Sequence, residues 1–571
     1  MFARSSCLLL SLCICLQVAW AQDLRQRPGS ERIPLIITPQ IYESLPDINS
    51  SASDFVAVPD RWRELYLGKW YDPYNQNILK GDLPIFGEPG HEWFFNTELI
   101  SDTAFEALRI PIPVGVASTN RGGEINTFGK GNINLLSQTL ATSFSLIRGN
   151  TTFMPPEIEL RFAPVFVFNH AEASETGALR INPATGTERD TSHIGIQELF
   201  ADIHLVNLSE RYDFISSRVG IQKFQSDFRG FVYNDEAPGA RIFGNWNGNR
   251  YQYNLAGFSR LDKDTNTGLN TNFETRHENV FVANLYRQDT PLLGHSFEFS
   301  VLHRSDRAGD AAPHYDDNGV LRRPAAIGDE RPKNIESTYL GFASDGHLER
   351  LNTSSAFYYV TGRESHNAIA GAGQDIAAAM AALEFSYDLD WVRFRSSFFW
   401  ASGDGDVRDG EANGFDAVAD SPNFAGGDLA FWQREAIPFI GGGEVFLVNR
   451  NSFLPNLRGG KEEGQSNFVN PGLRLYNLGV DFEITPTLKL VTNASYLQFD
   501  QVSVLETLRH DGSIGQDIGV DLSAGIIYRP FLNNNLQLRA GGAGLLPGSG
   551  LKNLYGDKVL YDFFGNLILQ Y

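Results

Sequence analysis

Cysteine is almost absent from this sequence of 571 residues, and its three copies, Cys7, Cys13 and Cys15, all lie near the N-terminus. The chain beyond them therefore offers no thiol for a disulfide or for a cysteine metal site. Methionine is equally scarce, with three copies.

The N-terminal segment has the pattern of an export signal. Residues 1–21 combine one early positive charge at Arg4, an apolar run, and Ala19 and Ala21 in the small-x-small arrangement of a cleavage site. A lipoprotein signal is not predicted, because Leu12 and Ile14, which precede the last two cysteines, are not small. We therefore predict that residues 1–21 are a signal peptide that is removed.

Positive charge is in deficit. The 47 lysines and arginines face 68 aspartates and glutamates, which gives a formal net charge of −21 and argues against a nucleic-acid partner. Beyond the signal, no apolar run approaches the roughly 20 residues that a membrane-spanning helix needs. An exported chain of this kind is either a soluble periplasmic protein or a β-barrel.

Strand-like alternation recurs along the chain. In EIELRFAPVFVFNH (157–170), Ile158, Leu160, Phe162 and further apolar residues share one face, while Glu159 and Arg161 point the other way. A soluble sandwich would bury the apolar face, whereas a membrane barrel would turn it to lipid and its polar face to a wet lumen. One strand alone leaves both readings open.

The connections favour a barrel, because short turns alternate with long insertions in the second half of the chain. The predicted short turns are 344–346, 388–390, 485–487 and 529–535; the predicted insertions are 261–278, 363–375, 403–471 and 502–516. Strands are predicted at 92–113, 132–148, 157–170, 194–206, 212–224, 279–288, 296–305, 337–344, 351–362, 377–387, 391–402, 473–484, 488–500, 517–529, 535–546 and 559–571.

The region 240–260 decides the number of strands. As one long strand it gives 17 strands, but as a hairpin about Asn247-Gly248-Asn249, a strong turn signal, it gives an even number. The sequence therefore predicts an all-β fold: a transmembrane antiparallel up-and-down β-barrel over residues 91–571, with 18 strands and 16 as the alternative. Its last strand should pair with its first, and a barrel of this size should enclose an aqueous channel unless something plugs it.

Three stretches resemble outer-membrane porins of the alginate-export type. They are IQELFADIHL (196–205), YDFISSRVGIQKFQSDFRGFVYND (212–235) and ASGDGDVRDGEANGFDAVADSPNFAGG (401–427). The family shows a similar order of an acidic strand, an R-x-G-x-Q strand and an SGD-rich external loop. The resemblance implies an exporter-like outer-membrane barrel with an arginine-rich lumen.

Polar residues opposite each apolar face are predicted to line the lumen. They are Glu159, Arg161, Glu198, Asp202, His204, Arg218, Gln222, Gln252, Asn254, Glu298, Arg304, Glu384, Arg393, Arg395, Asp481, Lys489, Asn493, Asp521, Gln537 and Arg539. Both signs of charge occur, so the lumen is mixed. The arginines either form a constriction that selects anions, or pair with Glu198, Asp202 or Glu384 as a structural ladder.

The insertion 403–471 holds two further features. Asp404, Asp406, Asp409 and Glu411 could supply oxygen ligands to calcium, although the spacing departs from an EF-hand and a solvated acidic loop is the alternative. The insertion is also too long for an ordinary connection, so it either folds into the channel or lies as a lid or against a neighbouring subunit.

Residues 22–90 lack the period-two alternation of barrel strands and are rich in proline and aromatic residues. They could form a periplasmic extension that meets a partner, an inserted plug, or a disordered tether before about residue 55. Sequence signatures of an enzyme are absent, so neither catalysis nor a resident cofactor is predicted.

The chain ends in YDFFGNLILQY. Phe563, Leu567 and Leu569 are expected to face lipid and Tyr571 to lie at the periplasmic aromatic girdle. Such strands resemble the signal read by the bacterial barrel-assembly machinery. The predicted function is passage of polar, charged solutes or oligosaccharides across the outer membrane of a Gram-negative bacterium; the alternative is a barrel that sheathes a partner such as an electron-transfer or export assembly.

Overall fold

The computed structural model describes residues 78–112, 129–149, 155–211, 213–435, 459–531 and 534–571. The predicted signal peptide and most of the 22–90 segment lie outside these ranges. The described residues belong to one compact unit, Leu67–Tyr571. Within those ranges, no helix combines the length and the apolar character that a membrane crossing requires.

Eighteen strands in the described chain form a closed antiparallel barrel. In chain order they are β1 (Trp93–Arg109), β2 (Asn132–Arg148), β3 (Ile158–Ala173), β4 (Glu188–Asn207), β5 (Phe214–Gln225), β6 (Asn234–Trp246), β7 (Tyr251–Lys263), β8 (Asn270–Arg287), β9 (His295–Asp306), β10 (Ile335–Leu348), β11 (Leu351–Asn367), β12 (Ala372–Leu389), β13 (Val392–Ala401), β14 (Leu473–Thr485), β15 (Leu488–Gln498), β16 (Asp517–Tyr528), β17 (Leu536–Pro547) and β18 (Leu560–Gln570). The predicted count of 18 is confirmed.

The barrel closes through its terminal strands. β18 pairs with β1 from Gln570 opposite Ile100 to Tyr561 opposite Arg109. Both barrel termini therefore lie at one end, which we call the short-turn end. Its connections are 149–157, 208–213, 247–250, 288–294, 349–350, 390–391, 486–487 and 529–535. The other end, the long-loop end, carries the longest connections, 307–334 and 402–472, together with shorter ones such as 368–371.

Short elements decorate the long-loop end. Strands His314–Tyr315 and Leu321–Arg323 pair with each other, and Glu411–Ala412 pairs with β12. The described parts of the loops contain three helices: α1 (Phe431–Arg434), α2 (Ser503–Arg509) and α3 (Ser549–Tyr555). Single 3-10 turns span Pro183–Thr185, Ala308–Asp310 and Gly427–Leu429.

The outward face of the barrel is apolar, as the alternation predicts. On β3, Leu160, Phe162, Phe166 and Phe168 are exposed, whereas Val167, between the last two of these, is fully buried. On β18, Phe563, Leu567 and Leu569 are 58%, 38% and 47% exposed, and Phe564 is buried. Large exposed apolar side chains on strand after strand are what a lipid-facing barrel wall requires.

The hairpin that fixes the strand count is confirmed. β6 and β7 are joined at residues 247–250, where Asn247, Gly248 and Asn249 have φ values of 59°, 64° and 62°. Such left-handed residues match the twist of a tight hairpin.

Two predicted insertions are wrong. Residues 363–375 form a short connection, because β11 continues to Asn367 and β12 starts at Ala372. Arg363 and Asp375 pair at 3.7 Å with 77% and 76% of their side chains exposed, so these strands extend beyond the apolar band and lose its alternation. Residues 261–278 are likewise mostly strand, because β7 continues to Lys263 and β8 starts at Asn270. Buried charged residues such as Arg276 and Glu278 take the place of apolar residues there, which hides the strand pattern.

One predicted turn is also wrong. Residues 344–346 lie inside β10, and the turn is at Glu349 and Arg350. A Cβ on Gly346 would lie 2.6 Å from the Gly294 carbonyl oxygen, so this glycine permits close strand approach. The turns predicted at 485–487 and 529–535 lie where expected, and the one predicted at 388–390 falls at Asp390 and Trp391.

One further strand precedes the barrel within residues 22–90, for which the sequence predicts no barrel strand. Lys80–Phe86 pairs antiparallel with the first residues of β1, with Lys80 opposite Asn96 and Phe86 opposite Trp93. It continues the sheet beyond the end of β18, and the ammonium of Lys80 lies 5.4 Å from the centre of the Tyr571 ring. The described end of the 22–90 segment is therefore part of the barrel wall.

Candidate functional site

Two loop segments from the long-loop end fill part of the barrel interior. The first is residues 226–233, here called the inward hairpin. Its Asp227 is buried and accepts hydrogen bonds from the backbone amide of Gly230 at 2.6 Å and from the hydroxyl of Tyr358 on β11 at 3.0 Å. Burial raises the pKa of Asp227, while these donors favour the charged form. The Asp227 carboxylate therefore stabilises the inward hairpin and attaches it to the barrel wall.

The second segment is the inward loop, residues 402–435 and 459–472. Phe415, Phe431 and Phe468 are among its fully buried side chains. Its backbone reaches across to the inward hairpin, since Tyr233 bridges to Ala419. Of the two arrangements considered for 403–471, the described parts adopt the one that folds into the barrel.

Arg434, at the end of α1, fixes one limb of the inward loop to the closing seam of the barrel. Its Nε lies 2.6 Å from Asp562 on β18, and its terminal nitrogen pairs with Glu106 on β1. The guanidinium carbon lies 4.0 Å from the centre of the Phe564 ring. Buried Glu435 brings a third carboxylate, within 4.8 Å of the other two. Arg434 itself supplies positive charge to this cluster.

Buried arginines fix the other limb. Arg276 on β8 donates to the carbonyl oxygen of Gly464 at 2.8 Å, and Arg304 on β9 donates to the hydroxyl of Ser466 at 2.7 Å. Both guanidinium groups contact Glu278, at 3.0 and 2.6 Å. All three wall residues are essentially inaccessible. If the loop moved away, the two buried arginines would lose hydrogen-bond acceptors, which is costly for buried charges. The network therefore holds the loop in one geometry.

Below the inward loop, towards the short-turn end, the lumen holds a cavity of about 460 Å³. We call it the lumen cavity. Its charged lining residues are Arg229, Arg393, Arg395, Lys489, Asp345, Glu384 and Asp481. Asn423–Gly427 of the inward loop form part of its wall, and the Ala425 amide donates to Glu384 at 3.0 Å. A Cβ at Gly426 would lie 2.9 Å from Asn493, so glycine lets the loop lie this close.

The ion pairs that join two lining residues of the lumen cavity are long. Arg229 lies 3.5 Å from both Asp345 and Glu384, while Asp481 is 3.4 Å from Arg395 and 3.3 Å from Lys489. These distances exceed those of a close charge-assisted hydrogen bond. Charged groups of a solute could therefore exchange with these partners inside the cavity.

The predicted lumen residues on β3 to β5 form a structural ladder. Arg218 lies 2.8 Å from Asp202 and stacks on Phe200, with its guanidinium carbon 4.1 Å from the ring centre. Arg161 lies 3.1 Å from Glu159 and 3.3 Å from Glu198. These arginines are paired across strands, as the alternative to a selective constriction requires.

Of the other predicted lumen residues, five come together in the lumen cavity and the rest do not converge on one constriction; the five are Glu384, Arg393, Arg395, Asp481 and Lys489. Arg393 and Arg395 reach the lumen cavity, although Arg393 is 46% exposed and pairs with Asp388. Gln222 is buried against the Gly239 carbonyl, and the Arg539 Nε donates to Gln537 at 2.6 Å. Arg304 serves the loop network described above.

The four carboxylates predicted for calcium are not gathered into a cluster in the described chain. Asp404 is buried, and burial raises its pKa to about 7. Asp406, Asp409 and Glu411 are exposed, and Asp404, Asp406 and Asp409 accept hydrogen bonds from backbone amides two residues further on. The calcium site and the solvated acidic loop both remain predictions, and this arrangement favours the loop.

Three important residues were not predicted: Asp227, Arg229 and Arg434. All belong to segments between strands, where periodicity gives no face. The sequence feature that could have identified them is local composition. The stretches Asp-Phe-Arg-Gly-Phe and Trp-Gln-Arg-Glu combine aromatic rings with charge, as buried interior loops do.

Comparison with known proteins adds a likeness to bacterial outer-membrane proteins. No family model and no curated protein matches the sequence. Among solved structures, the chain is similar to Pseudomonas aeruginosa OccK7 (OpdD), with 10% identity, 84% of this chain and 98% of that chain covered, and a TM-score of 0.45. It is similar to the outer membrane protein OpdK from the same species, with 9% identity, 84% and 99% covered, and a TM-score of 0.43. It is also similar to a BenF-like porin from Pseudomonas fluorescens Pf-5, with 10% identity, 84% and 98% covered, and a TM-score of 0.43.

Proposed function

We propose that the protein is an outer-membrane channel for polar, charged solutes or oligosaccharides, narrowed by its own inward segments. The observation that carries the proposal is the lumen cavity: charges of both signs, loosely paired, inside a closed barrel with an apolar outer wall. Groups of this kind replace water around a solute as it passes. The proposal assigns no chemical reaction to the chain.

The short-turn end is assigned to the periplasm. Outer-membrane barrels keep short turns and both chain termini on that side, and the longer loops outside. The inward loop then enters from the cell exterior, and a solute reaches the lumen cavity after passing it. In this proposal the barrel lies in the outer membrane of a Gram-negative bacterium. The chain is inserted there after the predicted signal peptide has been removed.

The mixed charge of the lumen cavity is the basis for proposing polar, charged solutes or oligosaccharides. Four cationic and three anionic side chains line it, so a solute that carries one sign of charge meets both attraction and repulsion. The alginate-export type, which an arginine-rich lumen would favour, is retained only as the finer prediction from the sequence. The likeness to solved porins does not support it.

A sheath around a partner protein is not favoured. In the described chain the interior is occupied by the inward hairpin and the inward loop, whose apolar side chains are buried there. A partner would have to displace segments held by buried ion pairs.

Two partners outside the channel remain predictions. Phe563, Leu567, Leu569 and Tyr571 present the terminal strand as a signal for the barrel-assembly machinery. A periplasmic partner could meet the chain through residues 22–90, of which the described end, Lys80–Phe86, already joins the wall near Tyr571.

The experiment is the reversal potential across a planar bilayer with a salt gradient, for charge-neutral variants of the lumen cavity. Arg395→Gln and Lys489→Gln should shift permeability towards cations, because each removes a positive charge from the path. Glu384→Gln should shift it towards anions. This opposite sign is the internal control, since a general loosening of the cavity would move all three variants the same way.

A further control is Arg363→Gln, which removes a positive charge from the exposed part of β11 outside the lumen cavity. It should leave the reversal potential unchanged. Native potentials in all three cavity variants would contradict the proposed role of the cavity.

A further inference from the structure

A basic pocket lies at the long-loop end, beside the seam where β18 meets β1. This rim pocket has a volume of about 90 Å³. Arg109, Lys130 and Lys558 contribute its charge, and its other lining residues are apolar, glycine or tyrosine. Among the described residues, no carboxylate lines it. Such a pocket is unexpected in a chain with a formal net charge of −21.

The three cations have no acidic partner in the described ranges. Arg109 donates to Asn132 at 3.0 Å and stacks on Tyr561, with the guanidinium carbon 4.9 Å from the ring centre. The Lys558 ammonium donates to the carbonyl oxygen of Gly129 at 2.8 Å. The side chain of Lys130 is exposed. Each therefore keeps donors for an anionic ligand.

One buried carboxylate beside the loop that carries Lys130 accepts hydrogen bonds from the backbone. Glu175 accepts hydrogen bonds from the amides of Lys130 at 2.7 Å and Gly131 at 3.2 Å. It thereby shapes the loop that presents Lys130, and it does not line the rim pocket.

The height of the rim pocket on the barrel matches a lipid headgroup. Phe105 and Phe563 are 52% and 58% exposed on the outward face. Arg109 lies four residues beyond Phe105 on the same face, about 13 Å at the rise of a strand. It stands opposite Tyr561, which packs against Phe563 with ring centres 5.6 Å apart. An aromatic ring with a polar tip is typical of the membrane interface.

We propose that Arg109, Lys130 and Lys558 bind a phosphate monoester on the headgroup of a glycolipid in the outer leaflet. Arginine offers a planar fork and lysine a point charge to phosphate oxygens. The inference rests on the outer-membrane location proposed above and on the assignment of the long-loop end to the cell exterior. It places one lipid at the seam that closes the barrel.

Native mass spectrometry of the purified full-length barrel in detergent tests the proposal, with bisphosphorylated lipid A as the probe. The native protein should bind one lipid, and Lys130→Gln combined with Lys558→Gln should bind it at least about tenfold more weakly, since two charge-assisted contacts are lost. Lys552→Gln is the matched control, because this exposed lysine of α3 does not line the rim pocket. Heat-modifiable migration on gels verifies that each variant is folded.

Two further probes separate the sources of phosphate. Dephosphorylated lipid A should lose the affinity, and inorganic phosphate alone should bind far more weakly than the lipid. Undiminished binding by the double variant, equal binding of the dephosphorylated lipid, or equally tight binding of inorganic phosphate would each overturn the proposal.

Failure of this proposal is distinguishable from failure of the proposed function. Channel current of the double variant is measured in parallel and should equal that of the native protein, because the rim pocket lies outside the lumen. Orientation is measured separately by labelling Lys552→Cys in intact cells with a membrane-impermeant maleimide, which should react if the long-loop end faces outwards.

Discussion

Replacing Arg434 with Gln should release one limb of the inward loop and raise the conductance of the barrel. The substitution keeps a long polar side chain but removes the guanidinium that contacts Asp562 at 2.6 Å and Glu106 on the facing strand. It also removes the stacking on Phe564. The carboxylates of Glu106, Glu435 and Asp562 then remain within 4.8 Å of one another without that cation.

The size of the effect follows from the burial of the pair. Asp562 is inaccessible and Arg434 is 19% exposed, so the pair is largely desolvated. Removing one partner of a buried pair costs about 3–5 kcal/mol. Taking the lower end for a wet lumen, about 3 kcal/mol shifts the balance between docked and released loop by about two orders of magnitude. Other anchors remain, since the Trp432 amide still donates to Asp521 at 3.0 Å.

Single-channel recording in planar bilayers measures this directly. Arg434→Gln should show larger or more frequent open levels than the native protein, and Arg434→Lys should fall between them because it keeps the charge but loses the fork. Arg408→Gln removes the same charge from an exposed position of the same loop and should have no effect. Native conductance in a folded Arg434→Gln barrel would refute the anchoring role of Arg434.

Three further predictions concern other parts of the chain. Asp227→Ala removes the acceptor of several hydrogen bonds within the inward hairpin, so it should raise open-channel noise and proteolysis at 226–233, whereas Asp227→Asn should do so less; equal behaviour of the two variants would count against this role. Deletion of Tyr571 should lower the yield of heat-modifiable barrel in the outer membrane more than it alters the conductance of barrels that do form, and Tyr571→Phe should assemble normally; normal insertion of the truncated chain would argue against a terminal assembly signal. Calorimetric titration with calcium should give only heats of dilution, because Asp404 is buried and its exposed neighbours cap backbone amides; binding abolished by Asp406→Asn would establish the predicted site instead.

The strand count could be predicted because the deciding signal is local. Asn247, Gly248 and Asn249 favour the left-handed conformation that a tight hairpin needs, and the structure gives all three positive φ. The apolar face of each strand was equally readable, since lipid imposes period-two alternation wherever a strand crosses it. Strand ends were misread where the strands leave that band, as at Arg363 and Asp375, because water imposes no such pattern.

The interior could not be predicted from local pattern. Arg434 and Glu106 are 328 residues apart, and Arg229 and Glu384 are 155 apart. Such contacts depend on where the closed barrel places each loop, which no spacing in the sequence encodes. Lumen residues such as Arg218 and Arg395 were identified by face, but whether each belongs to a ladder or to the lumen cavity follows from the partner across the strand.

The most direct test of the proposed function is the ion current of the purified, folded protein alone, reconstituted in a planar bilayer without any partner. A channel narrowed by its own inward loop should give discrete, reproducible conductance steps, and these should increase in the Arg434→Gln variant. A folded, inserted barrel that carries no current in either form, or that conducts only with a copurified partner, would contradict the proposed function.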